Sequence, residues 1–156
     1  MDMKPEIKAL LNTEQVKALS SKYIDEGVKK DCWAIRDIEI SGAILKAHVG
    51  MTSFFVSPTD SGGFHLTIFS AQEMLAQVAN IYLHVFSGYT VKSKETWMRE
   101  CSITCRSSVR DFEKIMVELE ITAIRDVADT VIAQASARVY DEEGGLFTAR
   151  LKGIMR

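Results

Sequence analysis

The sequence predicts an α+β domain in which one long helix packs across an antiparallel sheet and a further helix precedes them. Three observations lead there. From Ser70 to Ser87 the chain is apolar around most of a helical circumference, with Glu73 its single formal charge, so another layer must cover it. Six further segments read as strands, and several of them carry β-branched residues and alternating apolar positions, the pattern of half-buried strands. Short turns separate most of them, and short turns join antiparallel neighbours.

The elements follow in order. Asn12 can cap a first helix, with Gln15 completing a capping box and Leu11 and Val16 a hydrophobic staple. That helix is expected to run to about Asp25, where Gly27 permits a C-cap. Cys32–Ile40 alternates as a strand, Ser41-Gly42 turns the chain, and Ala43–Met51 returns, with Phe54–Val56 as an extension. Ser57-Pro58-Thr59-Asp60-Ser61-Gly62-Gly63 is the strongest loop signal. The long helix is expected over Ala71–Phe86, capped by Ser70 in a capping box with Glu73 and stapled by Phe69 and Met74. Strands then follow at Glu95–Arg106, Lys114–Ile124, Thr130–Tyr140 and Leu146–Ile154, with Asp141–Gly145 as a tight turn.

Composition narrows the class. A chain of 156 residues that is 47% hydrophobic can bury one core without disulfides or metals, and is too apolar for disorder. Lys and Arg total 19 against 21 Asp and Glu, so the basic excess of a nucleic-acid binder is missing. No apolar run has the length of a membrane helix, and Met1–Glu6 lacks the apolar stretch of a signal peptide. The expectation is a cytoplasmic protein without membrane insertion. Cys32, Cys101 and Cys105 form no even framework and are expected as buried free thiols.

The chemistry-bearing residues concentrate on the long helix. Glu73, Gln77, Asn80 and His84 are spaced by four, three and four, an arc of about 60°. A carboxylate, two amides and an imidazole suit a partly buried, hydrogen-bonded seam better than a solvated Lys/Glu face. The Glu73 end is a candidate site or subunit interface, and the His84 end is expected to be structural. Placed in the first helical turn, Glu73 could cap Ser70 or act as general acid or base at a ligand on the helix end. Gly62-Gly63 allows close backbone approach, and its N–H groups or those of the helix start could polarise a carbonyl. His65 follows closely and is either structural or a catalytic partner.

A long apolar helix wrapped by an antiparallel sheet resembles the hotdog fold. Glu73-Met74-Leu75-Ala76-Gln77 resembles the Glu-x-x-Ala-Gln segment of hydroxyacyl-ACP dehydratases, where the Glu is catalytic. Those enzymes carry His-Phe-Pro-Gly fourteen residues earlier; Thr59 stands there in this chain, and His65 lies eight residues upstream. A resemblance over more of the chain, from Cys32 onward, is to FcoT-type long-chain acyl-CoA thioesterases. Their helix opens Phe-Asn-Ala-Val-Glu after a Gly-containing loop; here it opens Phe69-Ser70-Ala71-Gln72-Glu73 after Gly62-Gly63. Their last hairpin has an acidic Gly-Gly turn, as at Asp141-Glu142-Glu143-Gly144-Gly145.

The resemblance implies one hotdog domain over 1–156, with a helical segment at 1–28 and the core at 29–156. It implies a homodimer or dimer of dimers that hydrolyses acyl-CoA or acyl carrier protein thioesters without cofactor or metal. Glu73 would activate water, with Ser70, Gln77, Asn80 or His65 assisting. Gly62 and Gly63 would contact the thioester, and Phe54, Phe55, Phe64 and Met74 would line the acyl path. A dehydratase using Glu73 with His65, and a non-catalytic module binding acyl thioesters or a partner protein, are the alternatives.

Overall fold

The computed structural model describes residues 8–20 and 31–156. Helix α1 spans Thr13–Leu19, strands β1 and β2 Cys32–Ser41 and Ile44–Ser53, and helix α2 Ile68–Phe86. Strands β3 to β6 span Thr96–Ser107, Ile115–Val127, Thr130–Tyr140 and Leu146–Met155. The strands form one antiparallel sheet in the order β1-β2-β4-β5-β6-β3, so β1 and β3 are its edges.

Strand periodicity places the core. Leu45, Ala47 and Val49 of β2 pair with Leu119, Val117 and Ile115 of β4, and all six are fully buried on the inner face. The next strands contribute Ala135, Ala137 and Val139 from β5, and Phe147, Ala149 and Leu151 from β6. Alanines on β5 and β6 leave room for α2, which sets Ala71, Met74, Leu75, Val78 and Tyr82 into the trough at helical spacing. Tyr82 reaches across and donates its hydroxyl to the Gly42 carbonyl at 2.8 Å, pinning α2 to the β1–β2 turn.

Several boundaries differ from expectation. Thr67, not Ser70, caps α2: the Ser70 N–H donates to Thr67 Oγ1 at 3.2 Å. The helix therefore begins at Ile68, and its first turn holds no acidic residue. Glu73 belongs to the second turn, so neither the Ser70 capping box nor a first-turn carboxylate exists. The Phe69–Met74 staple also fails, because Phe69 is 56% exposed while Met74 is fully buried. Strand β2 ends at Ser53, short of Phe54–Val56. Strand β4 runs on to Val127 and turns through Ala128 and Asp129, both at positive φ, as a two-residue hairpin demands. The Asn12–Gln15 capping box of α1 forms as expected, while Leu11 and Val16 are about half exposed, at 47% and 49%. The expected continuation of α1 to Asp25 and the Gly27 cap lie outside the described residues.

One polar group organises the end of the barrel-like trough where α2 starts. Asp141 is only 6% exposed. Its Oδ2 accepts the Arg110 and Asp111 N–H groups at 2.8 and 3.1 Å, and its Oδ1 those of Gly145 and Glu143 at 2.7 and 3.1 Å. Burial by itself would raise this carboxyl; the four backbone donors outweigh it and hold it below its usual value. Gly145 has no space for a side chain, since a Cβ there would lie 2.4 Å from Val109 Cα.

Asp141→Asn is expected to destabilise the fold by roughly 2–4 kcal/mol, because an amide cannot accept all four N–H groups. A group whose folded pKa is depressed stabilises fully above its unfolded value. The Asp141 contribution is therefore lost as pH falls below the ordinary 3.8 toward the lowered folded value. Denaturation followed against pH should show the gap between wild type and variant closing in that acid range.

Candidate functional site

The loop that leads into α2 is held by the segment between β3 and β4. Val109 accepts the Leu66 N–H at 2.8 Å, and the Phe112 carbonyl accepts that of Met51 at 2.7 Å. The Arg110 guanidinium donates to the Gly62 carbonyl at 3.1 Å. The Phe112 ring packs on Phe54 at 5.1 Å between centroids, and Phe54 on Phe64 at 4.7 Å. Residues 109–112 thus form a bracket around the loop, and Asp141 fixes the bracket to the β5–β6 turn. Gly62 and Gly63 both adopt positive φ, +86° and +74°, which favours glycine over other residues.

The expected site residues separate into three groups. Gly62, Gly63, Glu73 and Gln77 are exposed, while His65, Asn80, Phe54 and Phe55 are half-buried. Ser70, Phe64 and Met74 are buried, at 2%, 7% and 0% exposed. Met74 is thus a core residue of α2, and Ser70 sits on the covered flank of the helix. The apolar surface that stays partly open near the loop includes Phe54 and Phe112, with Phe112 42% exposed.

The polar stripe on α2 is hydrogen-bonded from Gln77 to His84. Asn80 Nδ2 donates to Gln77 Oε1 at 3.3 Å, and Thr96 Oγ1 donates to Asn80 Oδ1 at 2.9 Å. The stripe therefore faces the start of β3, the open edge. Its far end is structural, as its composition suggested. His84 Nδ1 lies 2.9 Å from the Asn80 carbonyl, which can only accept, so the proton is on Nδ1. Nε2 then accepts the Ser93 and Lys94 N–H groups, each at 3.2 Å. One buried imidazole clasps the connection from α2 to β3.

The cysteines depart from expectation. All three are free, but Cys32 and Cys105 are exposed and Cys101 is half-buried, because β1 and β3 are edge strands with one flank uncovered. Burial pushes the Cys101 thiol above its usual value. Among the described residues, no group of three or more His, Cys, Asp or Glu could hold a metal ion, and no helix is long and apolar enough to cross a membrane.

No protein-family model matches the chain, and no curated protein matches it in sequence. Solved structures match it in shape. A thioesterase from Pseudomonas aeruginosa, crystallised as a mutant, superposes with a TM-score of 0.58 at 13% identity, over 95% of this chain and 96% of that one. The chain has the hotdog fold. A thioesterase from Haemophilus influenzae gives 0.50 at 14% identity over 96% and 93% of the two chains. A hypothetical thioesterase protein from Streptococcus pneumoniae, crystallised with coenzyme A, gives 0.51 at 12% over 80% and 86%. At these identities the likeness defines the hotdog architecture.

Within that hotdog frame, three residues near the α2 start went unread in the sequence: Arg110, Phe112 and Asp141. Asp141 had a partial signal, an acidic residue opening a Gly-Gly turn. Arg110 and Phe112 follow a strand-like stretch of mixed polarity and carry no spacing that points to the loop.

Replacing His84 with Ala strands two backbone donors and should cost roughly 2–3 kcal/mol. Chemical denaturation reads the loss, and hydrogen exchange at Ser93 and Lys94 should accelerate while that of β4 stays unchanged.

Proposed function

We propose that the protein hydrolyses fatty acyl thioesters as a homodimer, at the N-terminal half of α2 beside the open β3 edge. The observation that carries this reading is the position of Glu73. It stands exposed on the uncovered side of α2, among Phe69, Ala76 and Gln77. A solvated helix face would carry several charges of both signs; this one carries a single carboxylate. The stripe it heads makes contact with β3 at Thr96. A second copy adding its own β3 to the twelve-residue edge would pair the unsatisfied backbone groups there and enclose Glu73 in a cleft.

The chemistry follows from what these groups can do. Backbone N–H groups of the Gly62–Gly63 loop polarise the thioester carbonyl. Glu73 takes a proton from water as the water oxygen attacks the carbonyl carbon. The tetrahedral intermediate then collapses, the C–S bond breaks, and the proton passes from Glu73 to the departing thiolate. The partly open Phe54 and Phe112 rings favour a fatty chain, in keeping with an FcoT-type substrate. Coenzyme A in one structural neighbour supports acyl-CoA over a carrier-bound thioester.

Glu73→Gln is expected to lower kcat for long-chain acyl-CoA on the order of a hundredfold or more, with the thermal shift produced by the substrate retained. Unchanged turnover would remove Glu73 as the base. A thermal shift without turnover in the wild type would point to a binding module instead.

A further inference from the structure

We propose that Arg110 is a positioning residue: it sets the conformation of Gly62–Gly63 and so the direction of the N–H groups offered to a thioester carbonyl. The inference rests on the hydrolase reading above. Two consecutive glycines at positive φ form a backbone with many accessible states, and a carbonyl-polarising loop must hold one of them. Ser57 to Asp60 is closed on itself, with Asp60 N–H donating to the Ser57 carbonyl at 2.9 Å and Ser57 N–H to Asp60 Oδ2 at 3.2 Å. Further on, Leu66 is anchored on Val109. Between these points, Arg110 holds the Gly62 carbonyl.

The contact is also one of shape. A Cβ built on Gly62 would meet Arg110 Nη1 at 2.8 Å, Cζ at 3.2 Å and Nη2 at 3.6 Å. The guanidinium plane therefore lies along the glycine backbone. A lysine ammonium can donate to the same carbonyl but has no plane to lay against it. The base of Arg110 is fixed separately, because its own N–H belongs to Asp141. Changing the side chain leaves that bond and the bracket intact, and this separates positioning from folding.

The test compares Arg110→Ala and Arg110→Lys with the wild-type chain in palmitoyl-CoA hydrolysis, thermal melting and hydrogen exchange. The Ala variant is expected to lose roughly ten- to hundredfold in kcat, with KM and melting temperature close to wild type. Exchange at Gly62, Gly63 and Phe64 should be faster, and the Lys variant should recover part of both losses. Wild-type kcat, or wild-type exchange at those three amides, in the Ala variant overturns the proposal. If the wild-type chain hydrolyses no acyl thioester, the hydrolase reading fails and takes the catalytic role of Arg110 with it. The exchange comparison then decides the anchoring alone.

Discussion

The carboxylate of Asp141 is the interaction on which this architecture turns. A charge that deep is costly unless hydrogen bonds replace its water, and four backbone N–H groups do so. Two of them close the β5–β6 turn. The other two belong to the segment that crosses from the sheet edge back to its centre. One side chain thereby ties a hairpin turn to a bracket, and the bracket in turn carries Gly62, Leu66, Met51 and the Phe54–Phe64–Phe112 cluster. The start of α2 has its surroundings fixed by residues more than forty positions downstream.

The central helix meets two opposing demands. Its inner side must fill a trough floored by alanines and valines, which accounts for Met74, Leu75, Val78 and Tyr82. Its outer side follows the open edge of β3 and carries amides and a carboxylate. The seam from Gln77 through Asn80 to Thr96, and from the Asn80 carbonyl through His84 to Ser93 and Lys94, locks the helix to the strand it precedes. Buried hydrogen bonds hold the His84 end. The Glu73 end stays exposed.

Much of the architecture was legible because it is periodic. Alternation marked four of the six strands, and the apolar circumference of 70–87 marked a helix that needed a sheet. Terminal chemistry was harder to read. Ser70, Ala71, Gln72 and Glu73 match a capping box, but Thr67 begins the helix three residues earlier, and Ile68 and Phe69 look like strand or staple residues. The Ala128–Asp129 turn has no glycine or asparagine to announce it, so β4 was cut short. The stripe on α2 was visible from spacing and its His84 end is the buried seam that residue type suggested, but Glu73 and Gln77 are exposed rather than partly buried. Asp141 was visible only as the start of an acidic Gly-Gly turn, and its bonds to Arg110 and Asp111, like the reach of Arg110 to Gly62, are tertiary contacts that no local pattern encodes.

Asp141 holds the bracket, the bracket holds the glycine loop, and the loop leads into a hotdog helix whose Glu73 is exposed. Hydrogen exchange of Asp141→Asn at neutral pH tests it most directly. The account predicts faster exchange at Leu66 and through Gly62–Phe64 as well as at Arg110, Asp111 and Gly145, with the β2, β4 and β5 core unchanged. Faster exchange confined to the β5–β6 turn would contradict it.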